Sequence, residues 1–268
     1  MVVRKLALSG LSANRVRATL TVLAITLSVS LVISVTSGYA SVEATAHKML
    51  SQFMGSADVM ITKSGDSKAH LPESIITELK SDPDVERATG RLEVESGLLD
   101  SKGKPVDGRP AQIIGVRRPD DSRVETMNLV AGKWFNQSEG NVAVIDQAAA
   151  KKLDLKVGDT FVLPGTDGQL KLQVVGIVHK PGILADAIQS IYLPLATLQQ
   201  FVMPNQPPEI NRVMADLKID SKTDVKLDAF KERWLPKLQA IDPAIKMRQA
   251  RERRNDLDKH LKGIHIMS

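Results

Sequence analysis

The longest run of apolar and small residues lies near the N-terminus, where no charged residue occurs from Ala18 to Val42. About 25 helical residues with a rise of 1.5 Å each span roughly 37 Å, which exceeds the bilayer hydrocarbon thickness of about 30 Å. A cleavable secretion signal has a shorter apolar core, of about 7–15 residues. Residues 44–46 do offer a small-residue cleavage site. The length of the run nevertheless favours an uncleaved transmembrane helix over residues 18–42.

The charges that precede this helix predict its orientation. They are all basic, with no acidic residue among them: Arg4, Lys5, Arg15 and Arg17. Because basic flanks stay in the cytoplasm, we expect a cytoplasmic N-terminus and an extracytoplasmic main domain, anchored in the cell (inner) membrane. The spacing of Val3, Leu6, Ala7 and Leu11 on one helical face predicts that residues 1–17 form an amphipathic elbow helix in contact with membrane lipid.

Small residues recur at every fourth position of the predicted span, namely Thr26, Ser30, Ser34 and Gly38. Such a stripe lets helix backbones approach closely in lipid, which favours packing against other transmembrane helices. The alternative is that these hydroxyl groups bond to carbonyl groups of their own helix, as they can in any span.

After the span the pattern changes to mixed helices and strands, which predicts an α+β extracytoplasmic domain. Helical spacing continues over residues 43–54 and returns over residues 248–268, where Ala250, Leu257, Leu261 and Ile264 share a stripe. We interpret these two segments as a membrane-proximal stalk helix and a return stalk helix toward a second span that is missing, and residues 55–247 as the core domain, with or without a subdomain. Within the core we expect strands over 57–62, 91–101, 110–116, 141–146 and 209–219, two strands within 156–178, a strand that runs into a helix over 190–201, and helices over 72–82, 147–155 and 226–241.

Composition excludes several classes of function. The chain has no cysteine, and the basic excess behind its net charge of +5 lies mostly before the span. No basic stripe with interleaved aromatic residues is present, so we expect no nucleic acid partner. The phosphate-binding motif of ATPases is absent, the five histidines show no metal-ligand spacing, and Asp120-Asp121 reads as a solvated acidic pair in a loop. We therefore predict a chain that is not an enzyme and carries no catalytic residue, cofactor or metal of its own.

A series of short motifs resembles the periplasmic core domain of MacB/FtsX-type ABC transporter permeases. The motifs are "LVAGKWF", "EGNVAVIDQAAAKKLDLKVGDTFVL", "LKLQVVGIVHKPG" and "SIYLPLATLQQF", in that order. The residues that carry the resemblance are Gly132, Phe135, Ala149, Leu153, Gly158, Val175, Gly176 and Pro194. Lys133 stands where the family usually has arginine.

The resemblance implies a four-span permease subunit that works as a homodimer, or with a related permease, beside a separate cytoplasmic ATPase, which binds ATP and Mg²⁺. It implies that ATP-driven motion is relayed to the exported domain, for export, extraction or regulation, together with an extracytoplasmic partner protein. We expect this chain to be the N-terminal part of such a subunit. Two other hypotheses stay open: a single-span extracytoplasmic sensor or binding module, and an anchored extracytoplasmic enzyme. The sequence does not reveal the cargo, the direction of transport, the identity of the ATPase or of the outer partner, or whether the chain naturally ends at Ser268.

Overall fold

A computed structural model describes residues 15–53, 57–64, 70–99, 104–106, 110–118, 120–121, 127–165, 168–180, 188–252 and 255. The chain divides into two compact units, Met1–Leu50 and Ser51–Ser268. The predicted elbow, with Arg4 and Lys5, lies outside the described residues except for its last three positions.

The first unit is dominated by one long helix, α1, which spans Arg15–Phe53. It contains a 20-residue segment, Thr19–Gly38, with a mean hydropathy of 2.1 and no buried residue, which by length and composition could cross a membrane. Arg17 is exposed at the start of this helix. As the helical spacing after the span predicts, the helix continues beyond Val42. Whether its last part acts as a stalk stays a prediction.

The second unit contains four further α-helices among the described residues. They are α2 (Ser74–Ser81), α3 (Gln147–Leu153), α4 (Leu195–Val202) and α5 (Asp224–Ile241), with a short 3-10 helix at Ile219–Ser221. The strands are β1 (Val59–Lys63), β2 (Leu71–Pro72), β3 (Val85–Ser96), β4 (Ala111–Val116), β5 (Asn128–Gly132), β6 (Val142–Asp146), β7 (Thr160–Pro164), β8 (Gln169–His179), β9 (Ser190–Pro194), β10 (Glu209–Ile210), β11 (Arg212–Leu217) and β12 (Ile245–Gln249).

Ten of these strands form one mixed sheet. Its order is β12-β1-β11-β3-β4-β9-β6-β8-β5, with β7 paired to β8, while β10 and β2 form a separate pair. Strands β4 and β9 run parallel, as do β6 and β8, and the other neighbours are antiparallel. The sheet thus mixes parallel and antiparallel pairs, as the α+β class predicts.

Two hydrophobic clusters pack against this sheet. All four helices of the domain contribute to the larger one, and a smaller one forms around Phe135 and Tyr192. Ile113 belongs to the larger cluster and its neighbour Ile114 to the smaller. Because consecutive strand residues point to opposite faces, the two clusters lie on opposite faces of the sheet.

Several sequence predictions hold in detail. Helix α5 buries Leu227, Phe230, Trp234 and Leu238, the four residues that share its apolar stripe. Strands β7 and β8 flank a glycine-containing turn, and Gly165 N donates to Gly168 O over 2.8 Å. Helix α5 begins two residues earlier than expected, after Thr223, which was not predicted as the N-cap and whose side chain accepts a hydrogen bond from Lys226 N.

Several element predictions differ from the structure, and the strand expected over 91–101 is β3 at Val85–Ser96. Helix α2 begins at Ser74, and Pro72 belongs to β2. The strand expected over 209–219 is two strands, because the side chain of Asn211 bonds both the N–H and the C=O of Glu93, over 2.9 and 2.6 Å. Strand β5, whose five residues are all exposed, has no alternating pattern and was not predicted.

The predicted return helix over 248–268 also starts too early. Arg248 and Gln249 belong to β12, where Ile245, Met247 and Gln249 are buried and Lys246 and Arg248 exposed. This alternation has the period of two that defines a strand. Helical residues begin at Ala250, and residues 256–268 lie outside the described residues.

Candidate functional site

The hydroxyl groups of α1 divide into two groups. Thr26 Oγ1 donates to Val22 O over 2.8 Å, and Thr36 Oγ1 makes a bond of the same kind to Val32 O. Thr26 thus makes the intrahelical bond, and whether it also packs against another helix stays a prediction. In the described part of the chain, no such bond is made by Ser30 or Ser34.

The stripe of small residues contacts no other helix among the residues that the structure describes. A Cβ atom added to Gly38 would meet no atom within 4 Å, and the segment Thr19–Gly38 has no buried residue. The stripe is thus open to another helix, and whether it packs against another span stays a prediction.

The signature glycines of the exported domain are brought together across two strands. Gly132 of β5 pairs with Gly176 of β8. Gly132 has a φ of +74°, and a Cβ there would lie 2.2 Å from Val175 O. A Cβ on Gly176 would lie 2.3 Å from Lys133 O. Only glycine fits at both positions, and the close approach lets Lys133 N donate to Val175 O over 2.9 Å.

The third signature glycine extends the same arrangement to the loop between α3 and β7. Gly158 has a φ of +100°, and its N–H donates to Val174 O over 2.8 Å. Val174 N donates back to Asp159 O over 2.8 Å. The two bonds fix this loop to strand β8, next to the residues of β8 that pair with β7.

Phe135 anchors the segment that follows β5. Its side chain is fully buried in the smaller cluster, beside Tyr192 and Val178. Trp134 contacts Phe135 and Tyr192 edge to face, with ring centroids 6.0 and 5.8 Å apart. Buried aromatic pairs of this kind add about 0.5–1.5 kcal/mol beyond their area. The residues after Gly132 therefore cover one face of the sheet.

The remaining signature residues lie in or beside one of the two clusters. Ala149 and Leu153 are the buried residues of α3, and Pro194 ends β9 and caps α4. Val175 is half-buried against the smaller cluster. The signature positions thus fix main-chain geometry and packing around β6, β8 and β9.

Asp146 joins three of these elements and was missed as a site residue. Its Oδ1 accepts from Ala149 N over 2.7 Å, which caps α3, and its Oδ2 accepts from Ser190 N of β9 over 2.8 Å. Burial raises the pKa of Asp146, although both bonds oppose this change. An aspartate between an apolar strand and an alanine-rich helix could have been recognised as an N-cap from the sequence.

Lys180 lies beside this aspartate. Its Nζ donates to Ser190 Oγ over 2.9 Å. Burial lowers the pKa of Lys180, and the nearby charge of Asp146 acts in the opposite direction. Burial also raises the pKa of Tyr192, two residues along β9. The bond from Lys180 links the residue after β8 to β9, and the bond from Ser190 N to Asp146 links β9 to β6.

The interpretation of Asp120-Asp121 as a solvated pair is wrong for Asp121. This residue is fully buried and forms two bonds with Arg91, from Nε to Oδ2 over 2.5 Å and from Nη2 to Oδ1 over 2.9 Å. Burial acts to lower the pKa of Arg91, but the charge and hydrogen bonds of Asp121, together with the nearby charge of Glu93, raise the pKa overall. Asp120 does follow the prediction, with a partly exposed ion pair to Lys80 at 2.7 Å. The sequence could not show the partner, because Arg91 is 30 residues away.

Among the described residues, no group of three His, Asp or Glu side chains is arranged to hold a metal ion. The features described above, namely constrained glycines, a buried aromatic anchor and buried polar residues, stabilise the fold of the second unit.

Comparisons with known proteins assign the family. The family model of the MacB-like periplasmic core domain matches residues 18–233, and the chain belongs to this family, which is part of ABC-type transporter permeases. No curated protein matches the sequence significantly. The structure is similar to the periplasmic region of MacB from Actinobacillus actinomycetemcomitans, with a TM-score of 0.58, 14% identity, and coverage of 79% of this chain and 98% of that one. It is also similar to the extracellular domain of the noncanonic ABC-type transporter YknZ from Gram-positive bacteria, with a TM-score of 0.50, 14% identity, and coverage of 72% and 100%.

These findings confirm the predicted α+β fold and the family resemblance. Together with the apolar helix, they indicate a membrane-anchored extracytoplasmic domain.

Proposed function

We propose that this chain is part of the permease subunit of a MacB/FtsX-type ABC transporter, in which a separate ATPase drives motion of the extracytoplasmic domain. The observation that carries the proposal is the presence, in one chain, of a MacB-like periplasmic core domain and an exposed apolar segment, Thr19–Gly38, long enough to span a bilayer. The basic residues before the span support a cytoplasmic N-terminus and a location in the cell (inner) membrane.

The small-residue stripe gives the span a role beyond anchoring. Ser30, Ser34 and Gly38 present little side-chain bulk, and a neighbouring span can slide closely against them. Helix α1 continues as far as Phe53, so a shift of the span can be passed along a continuous helix. We expect the neighbouring spans to belong to a second copy or a related permease.

ATP and Mg²⁺ would be bound by the ATPase, because this sequence has no phosphate-binding motif of its own. The chain would then contribute no catalytic group. Its exported domain would transmit the motion to an extracytoplasmic partner, for export, extraction or regulation.

The test is to tag the gene at its chromosomal locus, solubilise the membranes in mild detergent, and identify the proteins that purify with its product. We expect an ATPase with a P-loop motif in near-equal amount, together with ATP hydrolysis that is lost when the P-loop lysine of that protein is replaced. A product that purifies alone, with no ATPase under several detergents, would overturn the proposal. The single-span sensor or binding module would then be the better hypothesis.

A further inference from the structure

Strand β5, Asn128–Gly132, forms an open edge of the large sheet. It is the last strand on its side and pairs with β8. In an antiparallel pair, alternate residues direct their main-chain N–H and C=O groups away from the partner strand. Among the residues that the structure describes, no strand pairs with the outer side of β5. Main-chain donors and acceptors therefore face outward along this edge.

The side chains along this edge are apolar and exposed. All five residues of β5 are exposed, including Leu129 at 40% and Val130 at 52%. Val157 is 41% exposed and adjoins the strand, because its Cγ2 would lie 3.0 Å from a Cβ on Gly132. The open main-chain groups are thus bordered by three exposed aliphatic side chains.

The edge also lacks the charges that commonly protect an edge strand. Natural proteins often place lysine on such a strand, which opposes pairing with another chain. Strand β12, at the opposite end of the sheet, exposes Lys246. Residues 128–132 include no charged side chain. The side chains of β5 therefore do not oppose the addition of a further strand by charge.

The geometry of β5 favours a short segment over a second folded sheet. Val130 is a bulge residue, because Leu129 pairs with Val178 and Ala131 with Ile177. A bulge increases the local twist, which opposes long edge-to-edge contact between two sheets.

The size of the edge leads to the same conclusion. Its five residues span roughly 16 Å at about 3.3 Å each, and a contact of that length and about 10 Å in height covers on the order of 150 Å² on each partner. A stable dimer buries about 800 Å² on each subunit. A second copy of the domain, paired through β5 alone, therefore does not fit this edge.

We propose that β5 binds a short extended segment of an extracytoplasmic partner protein, which adds to the sheet as a further strand. Main-chain hydrogen bonds hold such a segment, and its side chains contact Leu129, Val130 and Val157. Because β5 is uncharged and its exposed side chains are aliphatic, the segment that complements it is uncharged and apolar. The proposal concerns partner binding alone and does not depend on coupling to an ATPase.

Fluorescence anisotropy with the full chain in detergent tests this proposal. The probe is a fluorescein-labelled peptide of alternating threonine and valine whose valine nitrogens are methylated, so that it has one free edge and does not form sheets with itself. The control peptide has the same sequence with every main-chain nitrogen methylated. We expect the probe to bind at least about tenfold more tightly than the control peptide, since strand addition needs main-chain donors.

Two double variants separate this edge from general surface contact. Leu129→Lys/Val130→Lys should weaken binding of the probe about tenfold or more, because it adds charge to the edge and removes the apolar contact. Ile219→Lys/Val225→Lys is the matched control, since these residues are a highly exposed isoleucine and valine outside β5. The control variant should bind the probe as the unmodified chain does.

Hydrogen exchange gives a second readout, because amide hydrogens of β5 should exchange more slowly when the probe is bound. Equal binding of the two peptides would show apolar contact without strand addition and overturn the proposal. Equal weakening by the two double variants, or no slowing of exchange in β5, would overturn it as well. If light scattering shows a dimer that Leu129→Lys/Val130→Lys abolishes, a second copy occupies the edge and the proposal is wrong.

Discussion

The contact between the two signature glycines predicts a large effect of a single methyl group. In Gly176→Ala the new Cβ would lie 2.3 Å from Lys133 O and 3.1 Å from its carbonyl carbon. A carbon atom and a carbonyl oxygen normally stay about 3.3 Å or more apart. The two backbones must therefore separate by about 1 Å, and neither contact atom belongs to a flexible side chain.

The magnitude follows from the bonds that this separation disturbs. Overpacking in a rigid place costs about 1–3 kcal/mol. The bond from Lys133 N to Val175 O, 2.9 Å long, lies beside the clash, and its loss adds about 1 kcal/mol. We therefore expect Gly176→Ala to lower the free energy of unfolding of the domain by about 2–4 kcal/mol.

Gly140→Ala is the matched control, because a Cβ on Gly140 would meet no atom within 4 Å and its φ is not positive. The same change of residue should there be neutral, or stabilising by up to about 1 kcal/mol through the unfolded chain. Both tryptophans of the chain, Trp134 and Trp234, lie in the exported domain. Their fluorescence during urea unfolding of the full chain in detergent therefore reports on this domain. If the two variants differ by less than about 0.5 kcal/mol, the close approach does not constrain the fold and the argument fails.

Further predictions concern the buried ion pair, the acid range and the membrane helix. Asp121→Asn should destabilise the domain by about 3–5 kcal/mol, because it removes the carboxylate that bonds the buried guanidinium and leaves only Glu93, at 3.9 Å, as a charge partner, whereas Asp120→Asn should cost less than about 1 kcal/mol in the same urea titration. Hydrogen bonds from Arg233 and Ser221 lower the pKa of Asp84 in the folded state. The ionised carboxylate therefore stabilises the domain at pH values above its unfolded-state pKa of about 3.9, and this stabilisation is lost as the pH falls through the lower folded-state pKa. Arg233→Met should make the free energy of unfolding fall less steeply as the pH is lowered through the acidic range. An unchanged pH dependence would show that the Arg233–Asp84 pair is not linked to folding. A Cβ on Gly38 would meet no atom within 4 Å. Gly38→Ile should uncouple ATP hydrolysis from the exported activity in the purified complex without reducing the amount of chain in the membrane. Unchanged coupling would show that the stripe is not part of the mechanism.

The sequence predicted best those elements whose pattern is local and periodic. Helix α5 repeats its apolar residues at helical spacing, and all four are buried as expected. Strand β6 is a short apolar run bounded by polar residues, and four of its five residues are buried. In such segments, burial is imposed on one face of one element, so the pattern alone contains the information.

Elements defined by distant partners could not be predicted in this way. Strand β5 owes its existence to its pairing with β8, about 50 residues further along the chain, and exposes every side chain. Asp121 resembles any loop aspartate until the fold brings Arg91 to it. Gly132 and Gly176 could be recognised as family positions, but their mutual contact is a property of the assembled sheet.

The placement of the signature residues limits what family membership can say about cargo. Phe135, Ala149 and Leu153 are buried, and Gly132 and Gly176 are constrained by main-chain contacts, so these positions maintain the fold and do not offer side chains to a partner. A chain that shares only 14% identity with the MacB periplasmic region yet keeps its fold can therefore differ at almost every exposed position. We therefore expect any choice of partner to arise from exposed surface residues, and variants there should change binding without changing the stability of the sheet.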